Sequence, residues 1–131
     1  TVTIDLGNKV PMPKIRQVQR PPLRLTGQVR AISNGEYTIS GPIYTGARCY
    51  MGRTVQFDTG AARIVITEQT QEPWDMGVFT CAGMNPLHER YLILKSRMYY
   101  RPVFAPLAST NGRPRRSRSS ISGSAVSPLR S

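Results

Sequence analysis

The sequence predicts a strand-dominated α+β fold: a mainly antiparallel β domain with one or two short helices and a disordered C-terminal tail. Three observations carry this. Apolar and polar residues alternate with period two through most of the first half of the chain. Short breaks rich in Gly, Pro and Asn separate the alternating runs. After Ala108 the composition collapses to Ser, Arg, Gly and Pro. The length of 131 residues is one domain's worth.

The elements follow in order. Val2, Ile4 and Leu6 share one face of a strand and Thr1, Thr3 and Asp5 the other, until Gly7 and Asn8 end it. Pro11, Pro13, Pro21 and Pro22, with Lys14, Arg16 and Arg20 among them, make an extended stretch that cannot be a central strand, because Pro donates nothing to a ladder. Residues 23–32 form the clearest strand. Leu23, Leu25, Gly27, Val29 and Ala31 lie on one face, and Arg24, Thr26, Gln28 and Arg30 on the other. Asn34 and Gly35 predict a tight hairpin, since both tolerate positive φ, with residues 36–40 returning and Tyr37 and Ile39 facing inward. Residues 53–58 and 62–68 predict a second hairpin around Thr59 and Gly60. Its contiguous Ile64, Val65 and Ile66 predict burial on both faces. Residues 74–81 suit a short helix with Val78 and Phe79 inward, and residues 91–94 a buried strand. Tyr100, Val103, Phe104 and Leu107 have helical spacing. Pro102 is tolerated in a first turn, but Pro106 keeps the helix short or distorted. Residues 109–131 cannot bury enough apolar surface to offset their ordering entropy and read as disordered.

Charge narrows the function classes. The net charge is +11. The tail contributes five arginines and no acid, and residues 1–108 hold 13 bases and all 7 acids without a dense block. The tail has no aromatic residue on which a base could stack, so it reads as a solvated charged segment rather than a nucleic-acid site. No apolar run approaches the ~20 residues of a membrane span, and no leader-like segment opens the chain, so cytoplasm is the expected location. The chain opens directly on a strand, which points to a segment of a larger protein. Cys49 and Cys81 are expected to be free thiols rather than a disulfide.

Few motifs carry chemistry. His88 is the one histidine, with no ligand partner at metal-site spacing, so no metal site and no catalytic triad is expected within the chain. No phosphate-binding glycine loop occurs. Glu68, Glu72 and Asp75 read as a solvated acidic loop. One segment stands out. A buried strand ends on Lys95 and Ser96, and a turn then presents Tyr100 and Arg101. Lys and Arg together can hold a carboxylate or oxyanion, with Arg supplying a bidentate fork. Equally, both can pair with acids and pin the strand end.

Lys95 and Ser96, then Tyr100 and Arg101, then Phe104, Pro106 and Ala108 resemble the KSxxHFRxxFxPxA signature of the C-terminal domain of the microcystinase C (MlrC)-like zinc metallopeptidases. The opening strand, the 23–35 segment and the run Trp74, Asp75, Phe79, Gly83, Met84, Asn85, Pro86 resemble that domain's other motifs in the same order. The resemblance implies that residues 1–108 are an MlrC-like C-terminal domain and that residues 109–131 lie outside the pattern. It implies a parent enzyme that hydrolyses peptide or amide bonds, with zinc held by an N-terminal metal-binding domain, so that this chain carries no cofactor and no catalytic residue of its own. Lys95, Ser96, Tyr100 and Arg101 carry over as substrate-binding candidates near the active-site cleft. Tyr99 stands where the family has His, replacing an imidazole by a phenol. The partners implied are the N-terminal domain of the same parent and its peptide or amide substrate, with homo-oligomerisation left open. No membrane is implied, and nucleic acid is disfavoured. The alternatives are a small basic nucleic-acid-binding module and a purely structural β domain.

Overall fold

The structure, a computed structural model, describes residues 1–8 and 20–108 and the backbone of residues 124–128. Its strands are β1 (Val2–Leu6), β2 (Leu23–Ser33), β3 (Glu36–Thr38), β4 (Arg48–Tyr50), β5 (Thr54–Asp58), β6 (Arg63–Thr67), β7 (Tyr91–Lys95) and β8 (Ser124–Pro128). The described residues also form two short helices, α1 (Gly77–Thr80) and α2 (Arg101–Phe104), and two 3-10 turns. Every strand pair is antiparallel. The fold is therefore the strand-dominated α+β arrangement that the alternation predicts. A four-stranded sheet has the order β1-β2-β5-β6, and β3-β4 and β7-β8 form separate pairs.

The eleven-residue β2 serves two partners. Its first half pairs with β1, from Val2 opposite Gly27 to Leu6 opposite Leu23. Its second half pairs with β5, but the register shifts between Val29 and Ala31. Val29 opposes Phe57 and Ile32 opposes Val55, so both lie on one face, and Ala31 crosses to the face of Gln56. The single alternating face expected from 23 to 31 is thus broken by a bulge, in which Arg30 is the extra residue. Arg30 turns this to use by donating to the Asp58 carboxylate at 3.1 Å. The Gly60 N–H, first, and Arg30, next among the stabilising groups, hold that carboxyl below the usual range.

One sheet face carries Ile4, Leu25, Val29, Ile32, Val55, Phe57, Ile64 and Ile66. Phe57 is 1% exposed. Its ring lies over Gly27, where a Cβ would come within 3.0 Å of it. The opposite face contributes Val65, which packs against a cluster of Met51, Val78, Phe79, Met84, Leu92, Leu94, Tyr100 and Phe104. Phe79 and Phe104 meet edge to face with centroids 5.8 Å apart. Thus α1 and α2 cover the core as the Val78, Phe79 and Phe104 spacing predicts, and Pro106 falls in the 3-10 turn Ala105–Leu107 that ends α2.

Three expectations are corrected. Asn34 and Gly35 do not turn β2 into β3, because β3 pairs with β4. The two favoured two-residue hairpin turns both need positive φ at the first position. Gly35 has φ +73°, but the non-glycine residues with positive φ are Asn8 and Tyr44, not Asn34. Ser33 Oγ accepts from the Gly35 N–H and Asn34 Oδ1 from the Glu36 N–H. These local bonds steer the chain out of the sheet. Second, β6 is an edge strand with half-buried residues, not a strand buried on both faces. Its apolar run is contiguous because Val65 serves the core while Ile64 and Ile66 serve the other face. Third, β7 is buried on one face alone: Leu92 and Leu94 are inside, while Ile93 is 69% exposed. The β5-β6 hairpin forms as expected around Thr59 and Gly60, and Cys49 and Cys81 are free. Of the segment expected to be disordered, the backbone of Ser124–Pro128 runs antiparallel to β7. The rest of that segment lies outside the described residues.

Candidate functional site

Asp75 is the anchor of the region that carries the signature. It is 1% exposed and lies just before α1. Its Oδ1 accepts the Ser40 and Gly41 N–H groups at 3.1 and 2.7 Å, and Oδ2 accepts the Gly77 N–H at 2.9 Å. One carboxylate therefore ties the loop after β3 to the start of α1. Gly41 allows α2 to close on this loop, since a Cβ there would stand 2.6 Å from Val103 Cγ2.

The signature docks beside this anchor. Ser96, 6% exposed at the end of β7, donates a short hydrogen bond from Oγ to the Glu72 carboxylate. The Tyr99 ring meets Trp74 edge-on, with centroids 6.0 Å apart, and Trp74 also packs on Tyr44 at 5.3 Å. Tyr100 is 8% exposed and belongs to the core cluster. The four sequence candidates thus separate into two pairs. Ser96 and Tyr100 point inward and fix the segment. Lys95 and Arg101 are exposed, as is Arg97 between them, and neither Lys95 nor Arg101 forms an ion pair among the described residues.

Sequence reasoning missed Glu72 and Tyr44, the packing role of Trp74, and the burial of Asp75, which reads as a solvated acid but is 1% exposed. Glu72 reads as a solvated acid, yet it is half-buried against Ser96, 24 positions away. No local period links the two. Among the described residues, Trp74 Nε1 and Tyr37 Oη are buried with no hydrogen-bond partner. Burial, and next the neighbouring Cys49, push the Tyr37 hydroxyl well above its ordinary range. Burial also raises the Cys81 thiol, which disfavours a thiolate nucleophile. His88 is exposed, and Nε2 lies 3.3 Å from Asn85 Nδ2. Among the described residues no group of three or more His, Cys, Asp or Glu is placed to hold a metal ion. No described helix is long and apolar enough to cross a membrane.

The motif segments that lie far apart in sequence, 72–86 and 95–108, are therefore neighbours in space. A family model described as MlrC C-terminus matches residues 1–112. The chain belongs to the MlrC C-terminus family. No curated protein and no solved structure matches it. In this MlrC C-terminal domain the signature is one contiguous turn, fastened from below by Ser96 and Tyr100 and from the side by Tyr99 on Trp74. Its cations are left on the outside.

Proposed function

We propose that this MlrC C-terminal domain is the accessory domain of a zinc-dependent peptide or amide hydrolase. In this reading it shapes or covers an active site whose metal ligands belong to an N-terminal domain of the same parent. The described residues do not fit a zinc site of their own, since His88 stands alone on an exposed turn. The observation that carries the reading is the contrast within the signature: Ser96 and Tyr100 are buried and fix the segment, while exposed Lys95 and Arg101 have no ion-pair partner among the described residues. A guanidinium held on such a turn can grip a carboxylate through two parallel N–H donors, which places an anionic group of a substrate at little entropic cost.

The test is an Arg101→Ala change in the full-length hydrolase that carries this domain. The exposed side chain contributes little to folding, so the melting temperature should stay within about 2 °C. Loss of a charge-assisted contact should lower kcat/KM by roughly tenfold or more. Arg101→Lys should recover part of that loss, because the charge remains and the fork does not. Unchanged kinetics would remove the substrate role and leave a structural β domain.

A further inference from the structure

The edge strand β6 carries a second feature, which shares only Lys95 with the hydrolase reading. The Glu68 N–H bonds the Arg53 carbonyl and the Thr59 N–H bonds the Ala62 carbonyl. With Val55 opposite Ile66 and Phe57 opposite Ile64, these bonds fix the phase of the β5-β6 ladder. Ile64 and Ile66 turn their backbone groups towards β5. Those of Arg63, Val65 and Thr67 point the other way, where the sheet ends. Among the described residues these outward N–H and C=O groups pair with no strand, and such a row is a template for one kind of occupant, another extended backbone.

Space for it exists. A groove of about 850 Å³ is lined by residues of both β6 and β7, with Val78, Phe79 and Met84 among its apolar walls. Its charges select the occupant. Glu89 is neutralised by Arg63 at 2.8 Å, and Asp58 by Arg30 at 3.1 Å. Arg90, stacked 5.5 Å over Tyr91, and Lys95 have no ion-pair partner among the described residues. They stand just before and at the end of β7, so the groove has a surplus cation at each end. A second copy of this +11 chain would bring like charge to like. Residues 9–19 and 109–131 hold no acid and would do the same.

We propose that this groove takes an extended, acidic segment of a different polypeptide, added as a fifth strand beside β6. Main-chain bonds to Arg63, Val65 and Thr67 would supply affinity, and Arg90 and Lys95 would favour acidic residues at the segment's ends. A strand matched to β6 spans about 17 Å, or about five residues, and one flanking residue at each end makes about seven.

The test titrates the whole chain with fluorescent heptapeptides of alternating valine and threonine. One has a glutamate at each end, one a lysine at each end, and one the glutamates with alternate backbone nitrogens methylated. The acidic peptide should bind at least tenfold more tightly than the lysine peptide, and methylation should abolish binding. Val65→Pro removes an outward N–H at an edge position, where proline is tolerated, and should weaken binding tenfold or more. Arg90→Glu should reduce the preference for the acidic peptide. If Val65→Pro does not fold, the methylated peptide on the unaltered chain still decides the question. Equal binding of the methylated or the lysine peptide, or no binding at millimolar peptide, would overturn the proposal.

Discussion

Replacing Asp75 with Ala should cost the domain about 3–5 kcal/mol, enough to unfold most of a marginally stable population. The carboxylate accepts three backbone N–H groups, from Ser40, Gly41 and Gly77, and a longer contact from Ser40 Oγ at 3.5 Å. Bonds to a charged acceptor are worth about 1.5–3 kcal/mol each, and donors left without partners add a desolvation cost. No neighbouring acid can take over, because Glu72 is engaged with Ser96. Asp75→Asn keeps one acceptor oxygen and should lose only part of this stability. The measurement is the urea midpoint of each variant, read together with amide exchange at Gly41 and Gly77. A loss below about 1 kcal/mol for the Ala variant would show that Asp75 does not hold the loop to α1.

Gly35→Ala should cost about 3 kcal/mol, from two sources. The φ of +73° is strained for any residue with a Cβ. That Cβ would also fall 2.1 Å from the Gly52 carbonyl oxygen and 2.6 Å from Thr54 Oγ1. Neither neighbour can retreat easily. Thr54 is fully buried, and its Oγ1 already donates to the Gly52 carbonyl at 3.0 Å. Gly46→Ala is the control. Its φ is +83°, but a Cβ there meets nothing within 4 Å. It should therefore lose only the conformational part, about 1 kcal/mol. Equal thermal shifts for the two variants would mean that the contact with Gly52 is not a constraint.

The strands that were legible in the sequence are those whose pattern has one cause. β1 alternates because it is an edge strand with one apolar face, and the β5-β6 hairpin reads correctly because Thr59 and Gly60 close it locally. Where the pattern has two causes it misleads. The alternation of β2 runs unbroken through Arg30, and only the pairing with β5 reveals the extra residue. The contiguous apolar residues of β6 look like a doubly buried strand, but they divide between two faces of an edge. Asn34 and Gly35 have hairpin composition, yet the hydrogen bonds of Ser33 Oγ and Asn34 Oδ1 decide the local course of the chain.

The site was half legible for the same reason. Lys95, Ser96, Tyr100 and Arg101 are marked by the motif, but composition could not say which of them face inward. Their supports come from Glu72, Trp74 and Tyr44, which no helical or strand period connects to residues 95–101. The Asp75 bond to Ser40 spans 35 positions. Such contacts follow from the three-dimensional packing of α1 and α2 on the core, not from any neighbouring sequence.

The proposed accessory role leaves the metal chemistry to another part of the parent. Its most direct test is the zinc content of the purified 131-residue chain, with a peptide-hydrolysis assay on the same sample. Zinc well below one per chain and no turnover are the expected results. One zinc per chain with turnover would contradict the account, because His88 and the two cysteines would then have to form a site that the described fold does not assemble.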